Sequence, residues 1–427
     1  MKQRAESRVG SLRHYVTEAL SELLGRFLPV RRGSLWPDPD PQIATWLVED
    51  GPFGHEGFSV RLFCDDHALG KELVELFDSL RVDDAIGTVQ RLEILTQARG
   101  RRSRIAALLD GDLVVADPNP GLVVERLLAS FDRWVLDASP GPLHLHAGLV
   151  AAPGSRGVLV VGGSGAGKST LVAALTLRGH AYLTDEMVSL PGRGAPADGF
   201  RRPLILKPGS SDRFGEYAEV IAEQPWNETW LRPIPPGRLA GGVCDSPIDV
   251  TVVAFCVRND QHEGTFMEVV HPAAAAVQLV EYCFDAARQT GYLETLCVMA
   301  ASAHCIRVHY RDALDVVPRL SAWASHPIDP APVIPVGATV SSRGPRRATD
   351  VESVIVGTGV VARDQRTKEV VALAGLPPAL WQALDGTLSE ADLVAWSAEE
   401  PGLAKDPGGR TIRRALSTLI QAGLVER

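Results

Sequence analysis

The stretch "VVGGSGAGKST", 160–170, constrains the fold more than any other part of the chain. Its spacing, Gly162-x4-Gly167-Lys168-Ser169, is that of a phosphate-binding loop. Over Gly162, Gly163, Ser164, Gly165, Ala166, Gly167, Lys168, Ser169 and Thr170, glycines let successive backbone N–H groups turn inward around an anion. Lys168 supplies a mobile cation for the β- and γ-phosphates, and the Ser169 hydroxyl can ligate magnesium. A helix opening at Ser169 points its positive end at the same anion. The flanks agree, since "GVLVV" is a fully apolar strand and "STLVAALTLRG" a helix closed by Gly179. These features predict an α/β core that binds ATP with Mg2+.

A second feature narrows the chemistry. Asp185 and Glu186, in "HAYLTDE", follow Thr170 by only fifteen and sixteen residues. In most nucleotide hydrolases with this loop the magnesium-binding acid arrives much later. Here the helix after Lys168 runs only to Arg178, about 15 Å at 1.5 Å per residue, and "HAYLTDE" reads as a short strand returning to the sheet. A right-handed crossover sets that strand parallel to the first, beside it or one place removed, with its acids at the same edge as the loop. Two adjacent acids suit transfer to an alcohol, one ligating magnesium while the other accepts the hydroxyl proton. An ordinary solvated acidic turn is the alternative.

Composition sets outer limits. A chain of 427 residues is too long for one core, so two or three domains are expected. No run of eighteen apolar residues predicts a membrane span, and "MKQRAESRVGSLRHYV" lacks an export signal. A net charge of −9 argues against a general nucleic-acid binder. The six cysteines stand singly, with no metal spacing, and read as reduced thiols of a cytoplasmic protein.

Along the chain, 1–135 alternates short apolar runs with helical stretches such as "GLVVERLLASFDRWVLDA", an α+β region without an assignable motif. A hairpin, 143–152 and 158–163, leads into the loop. A strand is expected over 249–257 and a helix over 273–288. The Pro-, Gly- and Ser-rich 326–348 predicts an extended linker (327–348) between a domain over 136–326 and a module over 349–427.

The segment 146–190 resembles the catalytic core of HPr kinase/phosphorylase and its relatives, which share a His on the strand before the loop, a short helix, an "RGH" exit and an acidic pair. The resemblance implies His146 near the active site, Lys168 on phosphate, Ser169 on metal and Asp185 as base. Glu186 stands where the family usually has a second Asp. It can still hold a metal, and either acid can do so. The family's E-[IV]-R-G loop is missing, and "FRRPLILKPGSSD", 200–212, stands there instead. The chain is therefore similar to the divergent kinases, some of which phosphorylate Ser in lasso peptide precursors. Arg201, Arg202 and Lys207 can stabilise phosphate charge or form a solvated basic loop. Relatives often assemble into rings, though no residue here requires a homo-oligomer.

In 349–427, apolar runs broken at "DQRTK" read as a hairpin, "PPALWQAL" as a helix, and Thr387 or Ser389 as the cap of another. A last helix places Ile412, Leu416, Leu419 and Ile420 on one face and ends at Gly423. Strands followed by three helices describe a small winged-helix module. Its layout resembles PqqD-type domains, which hold leader peptides by adding them as a strand to an exposed sheet edge. The resemblance implies Glu369, Val370, Val371, Ala372 and Leu373 as the receiving strand. The expectation is an HPr kinase-like α/β core that phosphorylates a Ser or Thr hydroxyl of a ribosomally made precursor peptide. The alternative is a non-catalytic ATP-binding regulator whose winged helix binds peptide or DNA.

Overall fold

The computed structural model of the chain describes residues 44–83, 87–99, 102–154, 156–207, 210, 213–222, 232–259, 264–284, 291–337, 339, 341–373, 375–400 and 409–427. It is a mixed α/β structure, and among these residues no sheet closes into a barrel. The amino-terminal stretch read for export lies outside the described residues.

Strand Arg156–Val161 lies in the middle of an eight-stranded sheet. Its run "GVLVV" has no polar alternation because helices cover both faces. It is parallel to Asp249–Arg258, which is parallel to His304–Tyr310. On its other side it is antiparallel to Leu143–Ala152, the expected hairpin partner. Strand Ala181–Thr184 also pairs antiparallel with Leu143–Ala152. It is therefore parallel to Arg156–Val161 and one place removed, within the two positions the crossover allows. Helices Lys168–Leu177 and Val317–Ala324 cover one face through Leu171, Val172, Leu175 and Leu320. Helices Pro272–Val280 and Tyr292–Ser302 cover the other through Ala276, Leu279, Leu293 and Leu296.

The helix expected over 273–288 stops at Val280. After the alanine run, "EYCF" turns back to the sheet: His146 N–H donates to Tyr282 O (2.7 Å) and Phe284 N–H to His144 O (2.9 Å). Aromatic residues favour this extended pairing over another helical turn. The rest of that expectation, 285–288, lies outside the described residues.

Before the central sheet, a second sheet orders Val48–His55, Phe58–Cys64, Val89–Arg99, Arg102–Leu109 and Asp112–Asp117. Helices His67–Phe77 and Pro120–Ala138 pack on it around Phe53, Leu62, Leu76 and Phe131. The second helix starts where Asn119 caps it with Pro120 in the first turn, and it runs past residue 135. Met187 and Phe200 of the central region complete this unit's core.

The carboxyl-terminal sheet orders Val333–Pro335, Val351–Val356, Gly359–Asp364 and Val370–Ala372, all antiparallel. Helices Pro378–Ala383, Glu390–Glu399 and Arg410–Gln421 follow, and Ser389 caps the middle one in a reciprocal capping box with Asp392. Alternation gives the sheet two buried faces. Ile355, Val360 and Ala362 meet these helices, whereas Val354, Val356 and Val361 join the apolar cluster of Leu279, Leu293 and Leu296.

The expected linker is thus corrected. Val333–Pro335 is an edge strand, where proline costs no ladder bond on the solvent side, and Arg346–Arg347 pairs with Val425–Glu426. Buried Arg347 donates to the carbonyls of Trp381 (2.7 Å), Gln382 and Gly337 (both 3.0 Å). Proline and glycine made the segment extended, but partners distant in sequence made it packed.

Candidate active site

The 162–169 loop joins strand Arg156–Val161 to helix Lys168–Leu177. Gly165 (φ +80°) and Gly167 (φ +97°) hold left-handed backbone that favours glycine. At Gly167 space adds to the demand, because a Cβ would collide with the Tyr310 hydroxyl. That hydroxyl donates to Gly167 O (3.2 Å) and lies 3.4 Å from Ala166 O, propping the loop from strand His304–Tyr310, two places away in the sheet. Gly163, Ser164 and Gly165 are exposed, whereas Lys168 and Thr170 are buried. Lys168 Nζ donates to Gly162 O at 2.9 Å, and burial lowers its pKa. Thr170 Oγ1 donates to Ser210 Oγ (3.1 Å).

Asp185 and Glu186 interrupt what would otherwise be one strand. Ala181–Thr184 and Met187–Leu190 both pair with Leu143–Ala152, and the acids occupy the break. Thr184 fixes it, its hydroxyl accepting from the N–H groups of Glu186 and Met187 (both 3.2 Å). Strand 143–152 also lies close under helix Lys168–Leu177, since a Cβ at Gly148 would press on Val172. Asp185, 1% exposed, accepts from Tyr182 Oη (3.2 Å) and Ile205 N–H (3.4 Å), with the Ser169 hydroxyl near enough to lower its pKa. Burial raises its pKa, against the opposing pull of Arg202. For Glu186 burial also acts upward, but His146 and Arg202, with Lys168, outweigh it and hold the carboxyl below the usual range. His146 Nε2 lies 3.2 Å from Glu186 Oε1.

Arg202 is a second buried cation in the cluster, beside Lys168. Its Nη2 donates to Glu186 Oε2 (3.0 Å) and lies 3.8 Å from Asp185 Oδ1, while Nη1 donates to Asp132 Oδ2 (3.2 Å). Asp132 comes from helix Pro120–Ala138, where burial acts to raise its carboxyl and the Arg202 guanidinium pulls it down. The three candidate basic residues therefore separate. Arg201 turns away to Asp198 (2.7 Å) and Cys244 O (2.7 Å), and Lys207 is exposed but near enough to Lys168 to depress its pKa.

The sequence reading missed Asp132, Tyr182 and Tyr310. Asp132 carried a signal: it sits one turn from Leu128 and next to Phe131 on a helix whose apolar face is buried. An acid there needs a partner.

The residues fit a magnesium–nucleotide. The loop presents small residues and a buried lysine, and the neighbouring Ser169 hydroxyl and Asp185 carboxylate are hard oxygen donors. Mg2+ takes one or two such ligands and completes its shell with phosphate and water. Among the described residues no group of three or more His, Cys, Asp or Glu forms a metal site by itself. The cysteines are free, with Cys64, Cys256, Cys297 and Cys305 buried. Among the described residues no helix is long and apolar enough to cross a membrane.

No family model matches the chain, and no curated protein does either.

Proposed function

We propose that the chain is an ATP- and magnesium-dependent kinase with an HPr kinase-like core, phosphorylating a Ser or Thr hydroxyl of a precursor peptide held by its PqqD-like carboxyl-terminal module. One observation carries the reading: the loop lysine, the Ser169–Asp185 pair, Glu186 and His146 converge at one edge of the central sheet. Lys168 and the loop N–H groups hold the phosphates, and Ser169 with Asp185 or Glu186 holds the metal. Bound Mg2+ would neutralise charge on the phosphates. Asp185 Oδ takes the proton from the attacking hydroxyl. Its raised pKa makes it a stronger base than an ordinary carboxylate. His146 and Arg202 hold Glu186 in place.

In the carboxyl-terminal sheet, Val370–Ala372 is an edge strand. Asp364 N–H donates to Glu369 O (3.0 Å) and Leu373 N–H to Val360 O (2.9 Å). Alternation then aims the outward groups of Val370 and Ala372 at an incoming leader strand, with Val371 bonded inward.

The test is phosphate transfer from labelled ATP to a leader-bearing peptide. Lys168→Ala should lower the rate about a thousandfold or more and weaken ATP binding. Asp185→Asn should lower it about a hundredfold or more while ATP affinity changes little. Transfer at the wild-type rate by either variant would end that residue's role. Nucleotide binding by the wild type without transfer to any such peptide would favour the regulator instead.

A further inference from the structure

The Asp132–Arg202 contact joins two parts of the chain seventy residues apart, and it joins them at the acids of the proposed nucleotide site. Arg202 is 5% exposed and bridges three carboxylates. Two of them, Asp185 and Glu186, are the groups a magnesium–nucleotide would claim. The third, Asp132, belongs to the helix Pro120–Ala138 and touches neither the loop nor Ser169 in any hydrogen bond or ion pair described for it. It holds Arg202 with Oδ2 alone, and its buried Oδ1 has no partner. Arg202 Nε is likewise buried with no partner. Asp132 thus retains one unused oxygen, so once Nη2 leaves Glu186 the guanidinium can pass from a single bond to a forked one on Asp132, through Nη1 and Nη2, without leaving its pocket.

We propose that Asp132 is a positioning residue that receives Arg202 when a magnesium–nucleotide engages Asp185 and Glu186, so that the N-terminal unit sets the metal affinity of the site. Without the nucleotide, Arg202 neutralises the acids and spares them mutual repulsion. When Mg2+ is drawn to them, a guanidinium left there would oppose it. A charged Asp132 gives the guanidinium another anion at its present position. Removing that anion leaves Arg202 leaning on Asp185 and Glu186, and metal must displace it at greater cost.

This inference rests on the nucleotide site proposed above, and its test reads binding rather than turnover. ADP affinity is measured by titration with and without Mg2+ on the full chain. Asp132→Asn keeps an oxygen for Arg202 but removes the charge. It should weaken the Mg2+-dependent part of ADP binding about tenfold, leave metal-free ADP affinity within about twofold, and be restored by Asp132→Glu. In an Arg202→Gln background the same Asp132→Asn change should have no further effect. An equal loss in both backgrounds would mean that Asp132 acts on the metal directly, and no loss in either would mean that it is structural; both overturn the proposal. Should Arg202→Gln fail to fold, failure of Asp132→Glu to restore Mg2+ affinity decides against it. A wild type that binds no Mg·ADP would overturn the nucleotide site itself, which distinguishes that failure from this one.

Discussion

Glu56 and Asp132 of the N-terminal unit reach the central region through charge: Glu56 Oε2 lies 2.9 Å from His144 Nε2, and Asp132 accepts from Arg202. Ser79 Oγ adds a bond to Arg201 O (2.6 Å), while Met187 and Phe200 supply an apolar seal. The carboxyl-terminal module meets the same region mainly through Val354, Val356 and Val361 in a shared apolar cluster. Its polar contacts include Arg363 over the Tyr292 ring (4.7 Å) and His271 on Thr358 (3.0 Å). The difference separates two kinds of attachment. A dry apolar layer transmits stability but is indifferent to the charge of a bound nucleotide. A buried ion pair responds to charge placed beside it, so at the proposed nucleotide site the N-terminal unit would feel the ligand and the carboxyl-terminal module would not.

Acid should break the first attachment before the second. Burial acts to raise the Glu56 carboxyl, but His144 and Ser189, with His55, outweigh it and hold the pKa at about 2 against an ordinary 4.5. The folded value is depressed, so this stabilisation is complete above about pH 4.5 and is lost as pH falls toward 2. A shift of that size corresponds to about 3 kcal/mol. Glu56→Gln should therefore lower stability at pH 7 by about that amount and flatten the acid limb, as read by denaturant melts between pH 2 and 7. A variant as stable as wild type at neutral pH would mean that the pair is incidental.

Somewhat smaller is the expected effect of Val361→Ala, about 2 kcal/mol for two methyl groups removed from a fully buried position. The loss should appear in unfolding followed by nucleotide binding as well as by peptide binding, because the apolar layer is shared. If only the peptide-binding transition moved, the module would be hinged rather than docked. The smallest effect concerns the edge strand. Ala372→Pro removes one outward donor and should weaken leader binding about threefold to tenfold, the worth of one hydrogen bond, leaving Mg·ADP affinity unchanged. Val371→Pro should instead disrupt the hairpin, because its N–H belongs to the inward set. Equal peptide affinity of the Ala372 variant and wild type would move the leader to another surface.

The glycine loop, its two flanking elements, the parallel return of strand 181–184 and the arrival of Asp185 and Glu186 at the loop's edge were all legible in the chain itself. They follow from short-range rules: left-handed turns need glycine, and a ten-residue helix can return a strand only to the same edge. The three carboxyl-terminal helices were legible for the same reason, through caps and apolar periodicity. The early end of the helix at Val280, the docking of 333–347 and the Asp132–Arg202–Glu186 bridge belong to tertiary structure alone. Composition reports what a segment's backbone prefers. Which distant surface supplies its missing hydrogen bonds, or which distant acid meets a buried arginine, depends on how whole layers stack, and no local pattern encodes that.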